Sequence, residues 1–568
     1  MSLIDCGNGV RLERGVSFRL SDGVTLVSDH YYPGGEGRWP TLLMRQPYGR
    51  DIASTVVYAH PVWFARQGYH VVIQDVRGRG GSEGEFYPFR SESRDGAETI
   101  AWLRSHAACN GRIGMYGFSY QGATQLLAAA EQPEGLQCIA PHMTAADLYH
   151  GWFYHQGALR LNSALGWGIQ LLREDARRRN LRGANAQLEA AWTSVRAQAV
   201  QVPYAEHPAI SDPALPSYVR DWLAHRESGD YWSALDISTR IDRIQIPALH
   251  IAGWFDTYLD GSIAGYLALR KGAGTEQARE HQYLFIGPWA HIPWGDRVGD
   301  AMLGDAASLN TDEILLRWFN QWLKDEPEFS FDARIRYFRL GINNWRGTHD
   351  WNEDVQPFYL HSAGHANSRK GDGSLSAAAP DSEEARDVFV YDPEVPVAAP
   401  GGPQALSGPF DQAALEMGNN LLVYTSAPVQ QPTEVFGQPR VKLYAVTSAA
   451  YADLAAKLVR VTAEGRAEFL CIGIARSSWL FRESGYTADE VHAWEFTLEP
   501  IAFVLTPGEE VRLEIASSAF PLYDRNPSTG VPPQGADNWS WARSTQQILH
   551  TPDHPSVLYL PVKGPAGW

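Results

Sequence analysis

The chain is predicted to be an α/β protein built on a parallel sheet, interrupted by a helical cap and followed by an all-β, jelly-roll β-sandwich domain. Three changes of texture predict it. Short apolar runs alternate with helical patterns up to about residue 145; the strand signal disappears from 146 to 240 and resumes from 241 to 351; and from 352 to 568 helical periodicity gives way to short alternating runs. A chain of 568 residues exceeds one ordinary core, so several domains are expected. The boundaries are placed at 1–145 with 241–351 for the α/β domain, 146–240 for the cap and 352–568 for the sandwich.

The elements follow in order. Thr41–Gln46 and His70–Val76 are apolar runs bounded by Pro and Gly, as buried parallel strands are, and Val62–Gln67 between them reads as helix. Arg90–Ser105 spaces Ala97, Ile100, Ala101 and Leu103 as a helix does. A strand at Arg112–Tyr116 then runs into a Gly-flanked serine and the Ala-rich helix Gln121–Glu131. In the cap, Leu188, Ala191, Trp192, Val195 and Ala199 fall on one helical face, and Arg177–Arg179 is expected to be a solvated face. Pro247–Ala252 and Tyr283–Gly287 are further buried strands around a helix near Ile263–Arg270, and Asp312–Leu323 is a strongly amphipathic helix. In the last third, Arg440–Val446, Ala455–Val461 and Val511–Ala516 alternate as sandwich strands do, and the Pro/Gly/Ala-rich stretch 395–405 is expected to be a surface connection.

Composition narrows the function classes. A net charge of −17 argues against nucleic-acid or anionic-membrane partners, which need a basic face. The four cysteines, at 6, 109, 138 and 471, show no CxxC and are expected to be buried, reduced thiols. The first residues lack a basic-then-apolar leader pattern, and no stretch reaches the ~18 apolar residues of a membrane span, so a cytoplasmic location is expected.

The chemistry centres on Gly117-Phe118-Ser119-Tyr120-Gln121-Gly122. A serine on a tight strand-to-helix turn needs small neighbours, and the helix after it offers backbone N–H groups where an oxyanion would form. The second glycine stands at +3 rather than the +2 of the usual elbow motif. A serine hydroxyl needs a base, and the base an orienting acid. Asp256 follows the strand Pro247–Ala252 and His291 follows Tyr283–Gly287, the order Ser, Asp, His of α/β-hydrolases. Ser119, Asp256 and His291 are therefore the candidate catalytic residues. Asp256 taken singly would read as a helix cap, and His291 as a loop histidine. Tyr48, in Arg45-Gln46-Pro47-Tyr48, reads by itself as a surface turn tyrosine; its hydroxyl could donate to an oxyanion beside the Tyr120 N–H. Gly78–Gly84 lacks the third glycine of a nucleotide loop, no GxxxxGK[ST] or HExxH occurs, and neither a cofactor nor a catalytic metal is expected.

These residues resemble the family that holds cocaine-esterase-like hydrolases, α-amino-acid ester hydrolases, glutaryl-cephalosporin acylases and X-prolyl dipeptidyl peptidases. Gly117–Gly122 is similar to its G-x-S-Y-x-G string, Gly253–Asp256 and Gly287–His291 to its acid and base segments, and Arg45–Tyr48 to its oxyanion-tyrosine segment. Asp75–Gly84, Gly341–Arg346, Gly408–Gln412 and Phe520–Asn526 resemble it too. The resemblance implies an α/β-hydrolase sheet with inserted cap and jelly roll, and Tyr48 with the Tyr120 N–H as oxyanion hole. It also implies an aromatic acyl pocket of Trp152, Trp167, Tyr258 and Phe410; packing between cap and sheet is the plainer reading of those four. The expected partner is a small-molecule ester or amide, hydrolysed by a serine carboxylesterase-type reaction; X-prolyl peptidase, amino-ester hydrolase or β-lactam acylase activity is the alternative, and a non-catalytic binding protein comes last. An amine-binding acidic cluster would have to be assembled from Asp147, Glu206, Asp212 or Asp230. A homodimer stays open.

Overall fold

The structure, a computed structural model, describes residues 3–51, 55–326, 332–401, 407–564 and 567–568, and the side chains at 195 and 196 are outside the description. Strands β1 (Ile4–Asp5), β2 (Arg11–Arg19) and β3 (Thr25–Tyr32) precede the first strand expected from sequence. They escaped that reading because their charged and polar residues break the apolar runs by which buried strands are recognised. Next come β4 (Trp39–Gln46), α1 (Pro61–Arg66), β5 (His70–Asp75), α2 (Glu92–Ser105), β6 (Cys109–Phe118), α3 (Tyr120–Ala129) and β7 (Leu136–His142). The cap holds a small hairpin, β8 (Tyr154–His155) and β9 (Ala158–Leu159). Its helices are α4 (Leu161–Arg178), α5 (Arg182–Thr193), α6 (Val195–Gln198), α7 (Tyr218–Ala224) and α8 (Asp230–Ser233). The chain returns through β10 (Ala248–Phe255), α9 (Leu259–Gly272), α10 (Glu276–Glu280), β11 (Gln282–Ala290), a hairpin of β12 (Arg297–Val298) and β13 (Ala301–Met302), α11 (Thr311–Lys324), β14 (Ile335–Arg339) and β15 (Asn344–Thr348).

The main sheet runs β1-β2-β3-β5-β4-β6-β7-β10-β11-β14-β15. From β5 to β14 every neighbouring pair is parallel, so β4, β6, β10 and β11 all end at the same edge. That edge carries the site. Every residue of β5 and β10 is buried, as expected where helices cover both faces of a parallel sheet.

Two readings of the cap are corrected. The face from Leu188 to Ala199 is not one helix, because the backbone breaks at Ser194 (φ −131°, ψ 33°) between α5 and α6, and Trp192 is 38% exposed. Arg177–Arg179 is more than a solvated face. Arg178 donates to the carbonyls of Gly80 (2.6 Å) and Ser82 (2.9 Å), and Arg179 pairs with Glu85, tying the cap to the Gly-rich loop after β5. The buried Arg79 reaches back to Asp175 of α4 at 2.9 and 3.0 Å. The glycine-rich loop is thus a cap anchor.

The C-terminal part contains a second eleven-stranded sheet and a three-stranded one. The expected strands lie at Arg440–Thr447, Asp453–Val461 and Glu510–Ala516. Of the expected surface connection, 402–406 lies outside the described residues, while Val397 and Ala399 are buried and Ala399 N–H donates to the Phe520 carbonyl (3.0 Å). One hydrophobic core runs from Trp254, Leu259 and Ile263 of the α/β domain into Phe503 and Leu505 of the sandwich. No helix among the described residues is long and apolar enough to cross a membrane.

Candidate active site

Ser119 sits between β6 and α3 with φ 62° and ψ −129°, a left-handed conformation that a side chain-bearing residue adopts only when its surroundings hold it there. The two glycines of the motif show how. A Cβ at Gly117 would lie 2.4 Å from the Gln121 Cβ, and one at Gly122 would lie 2.8 Å from the Thr144 Cβ and 3.0 Å from the His142 carbonyl oxygen. The +3 glycine thus lets α3 pass against the loop after β7. The Tyr120 N–H opens α3 and has no acceptor within the helix, so it is available beside Ser119 at the positive end of the helix dipole. The Tyr120 side chain points into the core. Its hydroxyl donates to Glu92 Oε1 (2.9 Å) and accepts from Phe89 N–H (2.9 Å), while Arg45 pairs with Glu92 at 2.8 Å. Burial pushes the Glu92 carboxyl above its ordinary range, opposed by the Arg45 charge.

Asp256 follows β10 and His291 follows β11, and the His291 Nδ1 lies 2.7 Å from Asp256 Oδ1. A carboxylate can only accept, so Nδ1 holds a proton, which in the neutral ring leaves the lone pair on Nε2. Asp256 is fully buried, whereas 28% of the His291 side chain is exposed. The Phe118 and Tyr258 rings flank the imidazole at 5.2 and 5.1 Å.

Tyr48 stands just beyond β4. Its N–H donates to Gln46 Oε1 (2.7 Å), and its hydroxyl oxygen accepts from Trp167 Nε1 of the cap (3.1 Å). Burial pushes the phenol up to about 12, with Trp167 and the neighbouring Ser119 hydroxyl pulling the other way. The phenol therefore stays protonated, with its own proton free to donate. The Ser119 hydroxyl thus neighbours the Tyr48 hydroxyl, and His291 lines the same cavity.

Tyr48, Ser119, Trp167, Tyr258, His291 and Phe410 all line one cavity of about 790 Å³. Phe410 enters it from the sandwich domain, and Trp192, unforeseen as a site residue, lines it from α5. Nothing in the spacing around Trp192 marks it, because it is the break at Ser194 that leaves it exposed. Trp152 is the correction. It lies behind the wall, 2% exposed, stacked on Tyr258 (4.0 Å between centroids) and 5.4 Å from Trp167, where it backs the two rings that do line the cavity. No Asp or Glu lines the cavity among the described residues, and Asp147, Glu206, Asp212 and Asp230 are all elsewhere. The group of described residues able to offer three metal-ligating atoms at close range, His30, His70 and His106, lies outside this cavity.

Residues 22–293 match the X-Pro dipeptidyl-peptidase (S15 family) and residues 327–559 match the X-Pro dipeptidyl-peptidase C-terminal non-catalytic domain. The chain is 33% identical to cocaine esterase of Rhodococcus sp. (strain MB1 Bresler) over 566 residues, 96% of this chain and 97% of that one. The chain belongs to the cocaine-esterase-like hydrolases of the S15 family. Solved structures agree on the fold of this family. An aminopeptidase from a marine sediment Thaumarchaeota archaeon covers 97% of this chain and 96% of its own at TM-score 0.80 and 24% identity. An α-amino-acid ester hydrolase covers 99% and 98% at TM-score 0.78 and 24% identity. A CocE/NonD family hydrolase from Staphylococcus aureus reaches 0.69 at 18% identity, over 98% of this chain and 94% of its own. The protein is thus a hydrolase of α/β-hydrolase fold with a C-terminal all-β domain.

Proposed function

We propose that this protein is a serine carboxylesterase that cleaves esters of small apolar or aromatic acyl groups through an acyl-enzyme on Ser119. The observation that carries the reading is a serine held at positive φ on a strand-to-helix turn, in the same cavity as a histidine already paired with a buried aspartate. In this mechanism His291 Nε2 takes the Ser119 proton as the hydroxyl attacks the ester carbonyl, and Asp256 stabilises the imidazolium. The Tyr48 hydroxyl and the Tyr120 N–H donate to the oxyanion. His291 then protonates the leaving alcohol, and water repeats the cycle on the acyl-enzyme.

The cavity favours esters over substrates anchored by an ammonium group, because none of the described residues that line it is acidic. Its aromatic lining (Phe118, Trp167, Tyr258, Phe410) suits apolar and aromatic acyl groups. Four unpaired cysteines are consistent with work in the cytosol. The test is a pair of measurements. Fluorophosphonate should label the wild type and leave Ser119→Ala unlabelled, and a p-nitrophenyl ester should turn over far faster than an X-Pro-p-nitroanilide. Labelling that persists in Ser119→Ala removes the nucleophile; a faster anilide overturns the esterase reading.

A further inference from the structure

We propose that His30, His70 and His106 form a three-nitrogen site for a divalent transition-metal ion of the zinc class, at the amino edge of the sheet and outside the catalytic cavity. The three side chains come from different elements. His30 lies on β3 and His70 opens β5. His106 is the cap residue at the end of α2, half-exposed. One nitrogen from each falls within 4.8 Å of the other two. Strands β4 and β5 both start at this edge and end at the other, which separates the cluster from Ser119 by the length of the sheet.

The surroundings orient the rings for ligation. Ser28 Oγ donates to the Val16 carbonyl (3.3 Å), so it accepts from His30 Nε2 at 2.9 Å, and the His30 Nδ1 lone pair faces inward. Across the gap His70 Nε2 lies 3.0 Å away, and Thr41 Oγ1 holds the far nitrogen of His70 at 3.2 Å. Ser28 and Thr41 thus occupy the outer nitrogens, the place where orienting partners of metal-bound histidines stand. Tyr32 stacks on His70 at 5.0 Å, and Trp102 meets His30 and His106 at 5.6 and 5.9 Å, walling the cluster. None of the three imidazoles pairs with a carboxylate among the described residues; Glu13, the acid nearest in effect, accepts from Tyr32 instead. That leaves a neutral nitrogen set, which suits zinc, cobalt, nickel or copper rather than calcium or magnesium.

Binding asks for little rearrangement. His70 moves its proton from Nε2 to Nδ1, where Thr41 turns to accept it, and the net charge of the ring is unchanged. His106 swings inward from its turn, giving up the contact of its Nδ1 with the Ala108 N–H (3.2 Å). Zinc–nitrogen bonds of about 2.0–2.1 Å then fit three of four tetrahedral positions, with water from the half-exposed His106 side in the fourth.

The test uses the full-length chain stripped with chelator and titrated with Co²⁺, then Zn²⁺. The expected result is one Co²⁺ per chain with visible d–d bands, displaced by Zn²⁺. His106→Ala should abolish those bands while turnover of a p-nitrophenyl ester stays at the wild-type level, which shows the variant is folded. Thr41→Val should weaken binding by about 10–100-fold. His150→Ala, at an exposed histidine elsewhere, should change nothing. Failure to bind Co²⁺, or equal binding by His106→Ala, overturns the proposal, as does a loss caused by His150→Ala. Should His106→Ala misfold, His106→Gln read by the same titration decides.

Discussion

Two histidine–aspartate pairs flank the start of α9. Asp256 accepts from His291 at 2.7 Å, and Asp260, four positions on, faces His155 at 3.0 Å. In the first pair the imidazole is partly exposed and lines the cavity that Ser119 also lines. In the second, Gln156 Nε2 sits 2.8 Å from the His155 Nε2, and Arg160 Nη2 reaches the same Asp260 oxygen at 2.7 Å. Arg160 also meets Glu499 of the sandwich at 3.3 Å, so cap, helix α9 and sandwich join at one buried guanidinium. The lesson is that an imidazole–carboxylate contact does not make a base. A base needs an open nitrogen, a nucleophile in reach and a carboxylate not already neutralised by a cation.

Replacing the aspartates separates the roles, and the largest effect is expected at Asp256. Asp256→Asn should cost about 10⁴ in kcat with the melting temperature nearly unchanged, because an amide carries no charge to stabilise the imidazolium and can hold His291 in the wrong tautomer. Asp260→Asn should do the reverse, costing about 3–5 kcal/mol in denaturant titration, as removal of one partner of a buried ion pair does. Its turnover below the transition should stay within tenfold of wild type. If Asp260→Asn abolishes turnover in a folded protein, the two pairs are not distinct in kind. Tyr48→Phe should lower kcat by about 10²–10³ if the hydroxyl donates to the oxyanion, with KM little changed; unchanged turnover removes Tyr48 from the mechanism.

The smallest effect is one of pH. Burial, with Asp260 adding to it, pushes the Glu499 carboxyl up to about 8. The folded chain then holds a proton that the unfolded chain releases near its ordinary value. Stability from this group is fully present at acid pH and is lost as pH rises from about 4.5 toward 8, at up to about 1 kcal/mol per pH unit. Glu499→Gln should flatten that slope in melting curves taken across the range. A slope of wild-type size in Glu499→Gln would assign it to other groups.

Much of the candidate site was legible because parallel strands put their carboxyl ends together, so residues just after successive apolar runs must meet there. Ser119, Asp256, His291 and Tyr48 each follow such a run, and the structure brings all four to one edge. Trp152 was misplaced because an aromatic in the wall and one behind it have the same chemistry and differ only in which ring is nearer the cavity. Trp192 was placed on one helical face with Val195 and Ala199 because periodicity assumes a continuous helix, and the backbone turn at Ser194 has no marker in residue type. Arg178 and Arg179 looked solvated because their acceptors lie nearly a hundred positions away: the Gly80 and Ser82 carbonyls for Arg178, and the Glu85 carboxylate for Arg179.

By itself the order of residues determined the strand–helix alternation, the elbow with its glycines at −2 and +3, and the chain order of the candidate nucleophile, acid and base. The first two are local matters of sterics and periodicity, written within about ten residues, and the third is read directly from chain order. Only the tertiary structure decided that His291 is open while His155 is locked, that no carboxylate among the described residues lines the cavity, and that three histidines meet at the far edge. Those outcomes depend on which distant side chains arrive within about 3 Å, and contact at that range is set by packing among elements far apart in the chain.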